Sequence, residues 1–138
     1  MSIKVELLTN GIVPTRKTTG AAAYDLFTPF PLALSEGLHK IDLRIKIELP
    51  RGTFGSIRCR SSLAVRGLSV EAGVIDEDYR GILQVLLRVR SEHGILLPKG
   101  HAIAQLIVQP YLAPEVEVVH CVNETVRGEN GFGSTNKR

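Results

Sequence analysis

The chain contains no apolar run long enough to cross a bilayer and no secretory signal, and its two cysteines, Cys59 and Cys121, lie far apart at no metal-ligand spacing. Those absences argue against a helical membrane protein and a cysteine-built zinc site. We therefore expect a reduced intracellular protein, cytoplasmic or nuclear, with no membrane partner and with both thiols in the core. Internal repeats, linkers and low-complexity blocks are missing ahead of the C-terminal tail, and 138 residues leave no room for a second domain. A strong excess of either charge is lacking as well. With 17 Lys+Arg against 14 Asp+Glu, a formal charge of +3 and a pI near 9.1, the chain suits an anionic small molecule as well as a weak nucleic-acid contact.

Helical periodicity is scarce, and the apolar period is two almost everywhere. In "KIDLRIKIEL", Ile41, Leu43, Ile45, Ile47 and Leu49 alternate with Lys40, Asp42, Arg44, Lys46 and Glu48, which predicts one strand with one buried face. "IKVELL" near the N-terminus repeats the pattern, and "GILQVLLRVR" puts Leu83, Val85, Leu87 and Val89 on one face. "HAIAQLIVQ" and "EVEVVHCV" are β-branched runs bounded by prolines. The 13 glycines and 7 prolines punctuate these segments at short intervals, which predicts an all-β sandwich, jelly roll or closed barrel rather than βαβ units. A single short helical turn is expected in "SSLAVRGL", N-capped by Ser61 or Ser62.

Five stretches depart from the strand pattern toward residues that bind phosphate, a base or water. "AAAYDL" presents Asp25 among small residues, either as a ligand-facing carboxylate or as a turn aspartate satisfying a backbone N–H. "GSIRCRSSLAVRG" sets Arg60, Ser61 and Ser62 at a helix start, where a guanidinium, hydroxyls and free N–H groups form a phosphate cradle; a capped surface turn reads the same. "AGVIDEDYRG" carries Asp76, Glu77 and Asp78, then Tyr79, Arg80 and Gly81, between two apolar strands and predicts a hairpin. Because "GVI" precedes it directly, Asp76 leaves a buried strand at the core edge, where a carboxylate can be held rigidly enough to orient a water as general base. "KGHAIAQLIVQ" places Gln105 in an apolar run, so its amide needs a partner. His101 is a lone histidine, better read as a surface or satisfied residue than as a metal ligand. The tail "RGENGFGSTNKR" mixes glycines, hydroxyls, Phe132 and cations that sustain neither helix nor strand.

Taken in order, "AAAYDL", "CRSSLA", "GVIDEDYRG", "GHAIAQLI" and "RGENGFGST" resemble the ordered motifs of the homotrimeric dUTP nucleotidohydrolases, the dUTPases, over essentially the whole chain. "AGVIDEDYRG" and "GFGST" are the specific ones. The resemblance implies a jelly-roll-like β subunit with at most one short helix and a flexible C-terminal arm, residues 1–126 forming the β domain and 127–138 a mobile lid. It implies a homotrimer whose active sites are shared among chains, dUTP as the ligand, and no direct nucleic-acid partner. The implied reaction is Mg²⁺-dependent hydrolysis of dUTP to dUMP and pyrophosphate by water attack at the α-phosphorus, limiting uracil in DNA and supplying dUMP for thymidylate synthesis.

Residue by residue, the resemblance implies that Asp76 activates the water, that Gln105 holds that water and contacts phosphate, and that Arg127 grips the γ-phosphate. Gly73, Val74, Ile75 and Asp76 would read the uracil edge, Tyr79 would press on the deoxyribose, and Arg60, Ser61 and Ser62 would hold phosphates. Phe132 would stack on the uracil, Gly133, Ser134 and Thr135 would add contacts, and Asp25 would meet Mg²⁺ through bound waters.

Several matched positions depart from the family pattern. Ala23 stands where the first motif usually has glycine, and Cys59 where proline commonly precedes the arginine. His101 and Ala102 replace an acidic and a basic residue, and Asn130 and Asn136 replace tail glycines. None removes a proposed catalytic group, and together they suit a divergent lineage, viral or phage. The alternative reading is a dUTPase-derived nucleotide-binding or regulatory protein with impaired catalysis. A dCTP deaminase would need a carboxylate poised at C4 of the base, and no matching motif is present.

Overall fold

The structure, a computed structural model, describes residues 1–133; Ser134, Thr135 and Asn136 lie outside the described residues. The alternating segments form β1 (Lys4–Leu7), β2 (Tyr24–Phe27), β3 (Leu32–Leu34), β4 (Gly37–Asp42), β5 (Ile45–Glu48) and β6 (Thr53–Arg58). The one helix among the described residues, α1 (Ser61–Ala64), follows, and then β7 (Leu68–Glu71), β8 (Val74–Ile75), β9 (Gln84–Val89), β10 (Ile95–Leu97) and β11 (Ala102–Pro110). One sheet runs β2-β11-β6-β8 and a second β4-β9-β7, with β1-β5 and β10-β3 as two-stranded ladders. Every one of these pairings is antiparallel, and none joins two strands consecutive in the chain, so the connections cross over rather than turn back as hairpins. Leu26, Ile57, Ile103 and Leu106 from the first sheet meet Ile41, Val85, Leu87 and Val89 from the second in one buried core. This is the all-β architecture with one short helix that the two-residue period predicts.

Five local expectations are corrected. "KIDLRIKIEL" is not one strand: Arg44 takes a left-handed φ of 57°, its N–H donates to Asp42 Oδ1 at 2.8 Å, and β4 and β5 join different ladders on either side. Burial still alternates through the corner because Leu43 N–H donates to Leu83 O at 3.0 Å and Leu83 N–H donates to Ile45 O at 2.8 Å. "AGVIDEDYRG" is not a hairpin either, because β8 pairs with β6 whereas β9 pairs with β4 and β7, so the intervening loop crosses between sheets. Neither serine is the N-cap of α1; that position is Arg60, extended at φ −78°, ψ 142° with no side-chain cap, and buried Leu63 pins the helix to the core instead. Finally, "EVEVVHCV" forms no strand and is exposed throughout, and Cys121 within it is an exposed thiol, while Cys59 is half-buried.

A β-bulge shapes the sheet beside the site. Ala102 pairs with Phe27 and Ala104 with Leu26, so Ile103 is an extra residue on β11. Ile103 and Ala104 are both buried, and the alternation restarts one residue out of step, which turns Gln105 away from the core. No helix among the described residues is long and apolar enough to cross a membrane.

Candidate active site

Two cavities collect most of the predicted site residues. One, of about 280 Å³, is lined by Gly73, Val74, Ile75, Asp76 and Tyr79, with Ile57, Val70, Glu71 and Ala72 on its wall and Lys40, Gln84 and Leu86 from the second sheet. Its floor is set by glycine. Ile57 N–H donates to Gly73 O at 2.7 Å, and a Cβ on Gly73, at φ +105°, would stand 2.6 Å from Ile57 O. Tyr79 is oriented by its own loop: its hydroxyl donates to Ile82 O at 2.8 Å, its N–H donates to Asp76 O at 3.1 Å, and its ring lies where a Cβ on Gly81 would collide. Val74, expected as part of a buried strand, is 68% exposed and so faces the cavity mouth.

The other cavity, of about 500 Å³, is lined by Asp25, Cys59, Arg60, Ser61, Ser62 and Gln105, together with Lys17, Ile107 and the small side chains of Ala21, Ala22 and Ala23. Neighbouring strands bring these together: Gln105 on β11 sits between Asp25 on β2 and Arg58 on β6. Arg60 is held at both edges, its Nε 3.5 Å from Asp25 Oδ1 and its Nη1 donating to Ala102 O at 3.3 Å. Gln105 Nε2 donates to Cys59 O at 3.1 Å, which answers the demand its amide makes in an apolar run. Ser61 and Ser62 are exposed at the first turn of α1, where backbone N–H groups have no intrahelical acceptor. Burial pushes the Cys59 thiol up from its ordinary value, opposed by a backbone hydrogen bond at Arg60, so at neutral pH it is a protonated thiol. The cavity therefore offers a fixed guanidinium, hydroxyls and a carboxylate to an anionic ligand and its counter-cation.

These two cavities have no lining residue in common, and the described tail residues, up to Gly133, join neither. Arg127 is exposed, its Nε donating to Asn130 O at 2.7 Å within a local turn, and Phe132 and Gly133 are exposed beyond it. Within one chain the predicted residues that are described thus fall into separate groups rather than one pocket. Sequence reasoning missed Lys17, Lys40 and Gln84. Each occupies a position where a polar residue is unremarkable, a loop for Lys17 and the outward rows of strands for the other two.

A family model described as dUTPase matches residues 9–136. The deoxyuridine 5'-triphosphate nucleotidohydrolase of Avian adenovirus 8 is 44% identical over 128 residues, covering 90% of this chain and 77% of that protein. That of Paramecium bursaria Chlorella virus 1 is 40% identical over 132 residues, covering 94% of each. Among solved structures, a Staphylococcus bacteriophage 80alpha dUTPase with dUpNHpp superposes at a TM-score of 0.86 and 25% identity, covering 97% of this chain and 98% of that one. The chain belongs to the dUTPase family, and its β fold is the jelly-roll-like fold of those structures.

Proposed function

We propose that the chain is a dUTP diphosphatase that converts dUTP to dUMP and pyrophosphate, acting as a homotrimer whose active sites draw on more than one chain. The observation that carries this reading is the division of the site. The residues suited to a base and sugar line one cavity, those suited to phosphates line a second that shares no residue with it, and Arg127 and Phe132 stand on an exposed arm. A single chain separates the groups that one nucleotide must touch, and neighbouring copies can reunite them. The arm supports the same reading: Leu112 is 93% exposed, Val116 and Val118 95% each, and Val122 81%. Each such valine stabilises by about 1.5–3 kcal/mol when buried, which a neighbouring subunit can supply.

In the assembled site, Asp76 takes the proton of the attacking water and Gln105 holds that water beside the α-phosphate. Tyr79 covers the sugar face where a 2′-hydroxyl would lose its water partner, and the backbone of Gly73, Val74, Ile75 and Asp76 reads the uracil edge. Arg60, Ser61 and Ser62 hold phosphates; Arg127 grips the γ-phosphate while Phe132 stacks on the uracil. Gly133, Ser134 and Thr135 complete the closing segment 127–138, which follows the β domain 1–126. Mg²⁺ fits the donor set. The phosphate cavity offers one carboxylate, Asp25, and no group of three or more His, Cys, Asp or Glu among the described residues could hold a metal. That suits an ion that keeps its waters and arrives on the triphosphate. When bound, it supplies positive charge to the phosphates and keeps them aligned. The substrate belongs to the nucleotide pool inside a cell, where this activity limits uracil in DNA and provides dUMP for thymidylate synthesis.

The test is pyrophosphate release from dUTP, dCTP, dTTP and UTP with Mg²⁺, alongside light scattering for mass. Release from dUTP alone by a trimer is expected, and Asp76→Asn should bind nucleotide while losing roughly 10²–10⁴ of the rate. Equal turnover of dCTP or UTP, or a fully active monomer, would overturn the reading.

A further inference from the structure

The loop between β8 and β9 carries Asp76 and Tyr79, and its internal bonds hold its shape but not its place on the body. Arg80 Nη1 donates to Glu77 O at 2.8 Å and to Tyr79 O at 3.1 Å, both within the loop. At its start the loop hangs from β8, whose pairing with β6 is two residues long, Gly55 with Ile75 and Ser56 with Val74. Glu77 supplies a tie on the other side. Alone of the three successive carboxylates it is half-buried, while Asp76 and Asp78 are exposed. Its Oε1 accepts the Gly52 N–H at 2.6 Å and the Tyr111 hydroxyl at 3.3 Å.

The three residues close on one another. Gly52, at φ +80° in the turn between β5 and β6, gives its N–H to Glu77 and its carbonyl to the Tyr111 N–H at 3.2 Å. The Tyr111 ring is braced edge-on by Phe54 of β6, centroids 6.2 Å apart and planes at 76°. Tyr111 is also the first residue after β11, where the exposed C-terminal arm leaves the body. We infer that Glu77 is a positioning residue: its carboxylate fixes the loop carrying Asp76 and Tyr79 to the β5–β6 turn and to the root of the C-terminal arm.

A carboxylate suits this role because charge-assisted bonds are shorter and stronger than neutral ones, and here two donors offset the repulsion from Asp76 and Asp78. Placement matters for rate because reacting groups tolerate little displacement. The inference rests on the reading that Asp76 and Tyr79 contact substrate.

The experiment compares Glu77→Ala, Glu77→Gln and Tyr111→Phe by steady-state dUTP hydrolysis with Mg²⁺ and by amide hydrogen exchange. Glu77→Ala should lower kcat about tenfold, less than the ~10² brought by a full 1 Å misplacement, with a smaller change in KM and faster exchange at Gly52. Glu77→Gln keeps an accepting oxygen and should recover most of both. Full kcat in Glu77→Ala, or a glutamine variant as impaired as the alanine one, overturns the inference. Should Glu77→Ala not fold, Tyr111→Phe decides: a reduced kcat with faster exchange in the loop supports the tie, and wild-type values for both overturn it. Asp76→Asn run in parallel separates the two readings. A fully active Asp76→Asn removes the general-base assignment, whereas the exchange at Gly52 still decides the tie.

Discussion

Arg60 and Asp25, both in the lining of the cavity of about 500 Å³, form an ion pair, Nε to Oδ1 3.5 Å, with their side chains only 25% and 17% exposed. The carboxylate therefore has two tasks in the proposed site, orienting the guanidinium and meeting the hydrated metal. Asp25→Ala removes both. We expect it to leave Arg60 without its anionic partner and held by Ala102 O alone, at a stability loss of about 1–3 kcal/mol. The Mg²⁺ concentration needed for half-maximal pyrophosphate release should rise as well. Denaturant unfolding and a Mg²⁺ titration of the rate check the two arms. A variant with lowered stability and an unchanged Mg²⁺ requirement would leave Asp25 a partner of Arg60 alone.

Gly73 has no room for a side chain. Its φ of +105° is strained for any L-residue, and the added Cβ would press to 2.6 Å on Ile57 O, a backbone atom of β6 that cannot swing away. Gly73→Ala should destabilise the chain by about 2–3 kcal/mol, combining the conformational penalty with the displaced hydrogen bond from Ile57 N–H. Deoxyuridine binding, followed by calorimetry, should weaken more than pyrophosphate binding, because Gly73 does not line the cavity proposed to take the phosphates.

What the sequence made legible depended on whether a residue was out of character. Gln105 stood out as an amide in an apolar run, and it does line a cavity with Asp25 and Arg60, turned there by a bulge that no periodicity reveals. Lys17 and Lys40 were polar residues in polar positions and carried no signal. The corner at Arg44 was hidden because apolar alternation runs through it unbroken, from Ile41 to Leu49, while the strand changes partners. "EVEVVHCV" shows the opposite failure: a strand-like pattern becomes a strand only where it pairs, and among the described residues this segment pairs with none. The bond from Gly52 to Glu77 joins residues 25 apart, beyond any local pattern.

Gly81 governs Tyr79 by leaving space. The tyrosine ring occupies the volume a Cβ would take, and its hydroxyl is fixed on Ile82 O at 2.8 Å. Gly81→Ala must push the ring aside, which in the proposed site opens the position where a ribose 2′-hydroxyl would sit. The ratio of kcat/KM for dUTP over UTP should fall by about tenfold, within the range a single misplaced contact brings. A fall in both substrates with the ratio preserved would separate loop damage from lost sugar selection.

Tyr111 reports on Glu77 through its own titration. Its phenol is held protonated above the ordinary value of about 10, chiefly by the charge of Glu77, then by desolvation, by its hydrogen bond to Glu77, and by Asp78 and Asp76. A folded-state value raised above the unfolded one contributes stability that is fully present below the unfolded value and is lost as pH rises through the folded value. The contribution is therefore constant across neutral pH and disappears only in the alkaline range, because ionised Tyr111 can no longer donate to the carboxylate and is repelled by it. Glu77→Gln removes the largest cause. Tyrosinate absorbance of the native protein, with Tyr111→Phe to identify this group among the 3 tyrosines, should show Tyr111 ionising at lower pH in Glu77→Gln than in the wild type. An unmoved titration would mean that the phenol and the carboxylate are not paired in solution, and the root of the arm would then be held by the Phe54 contact and the Gly52 carbonyl alone.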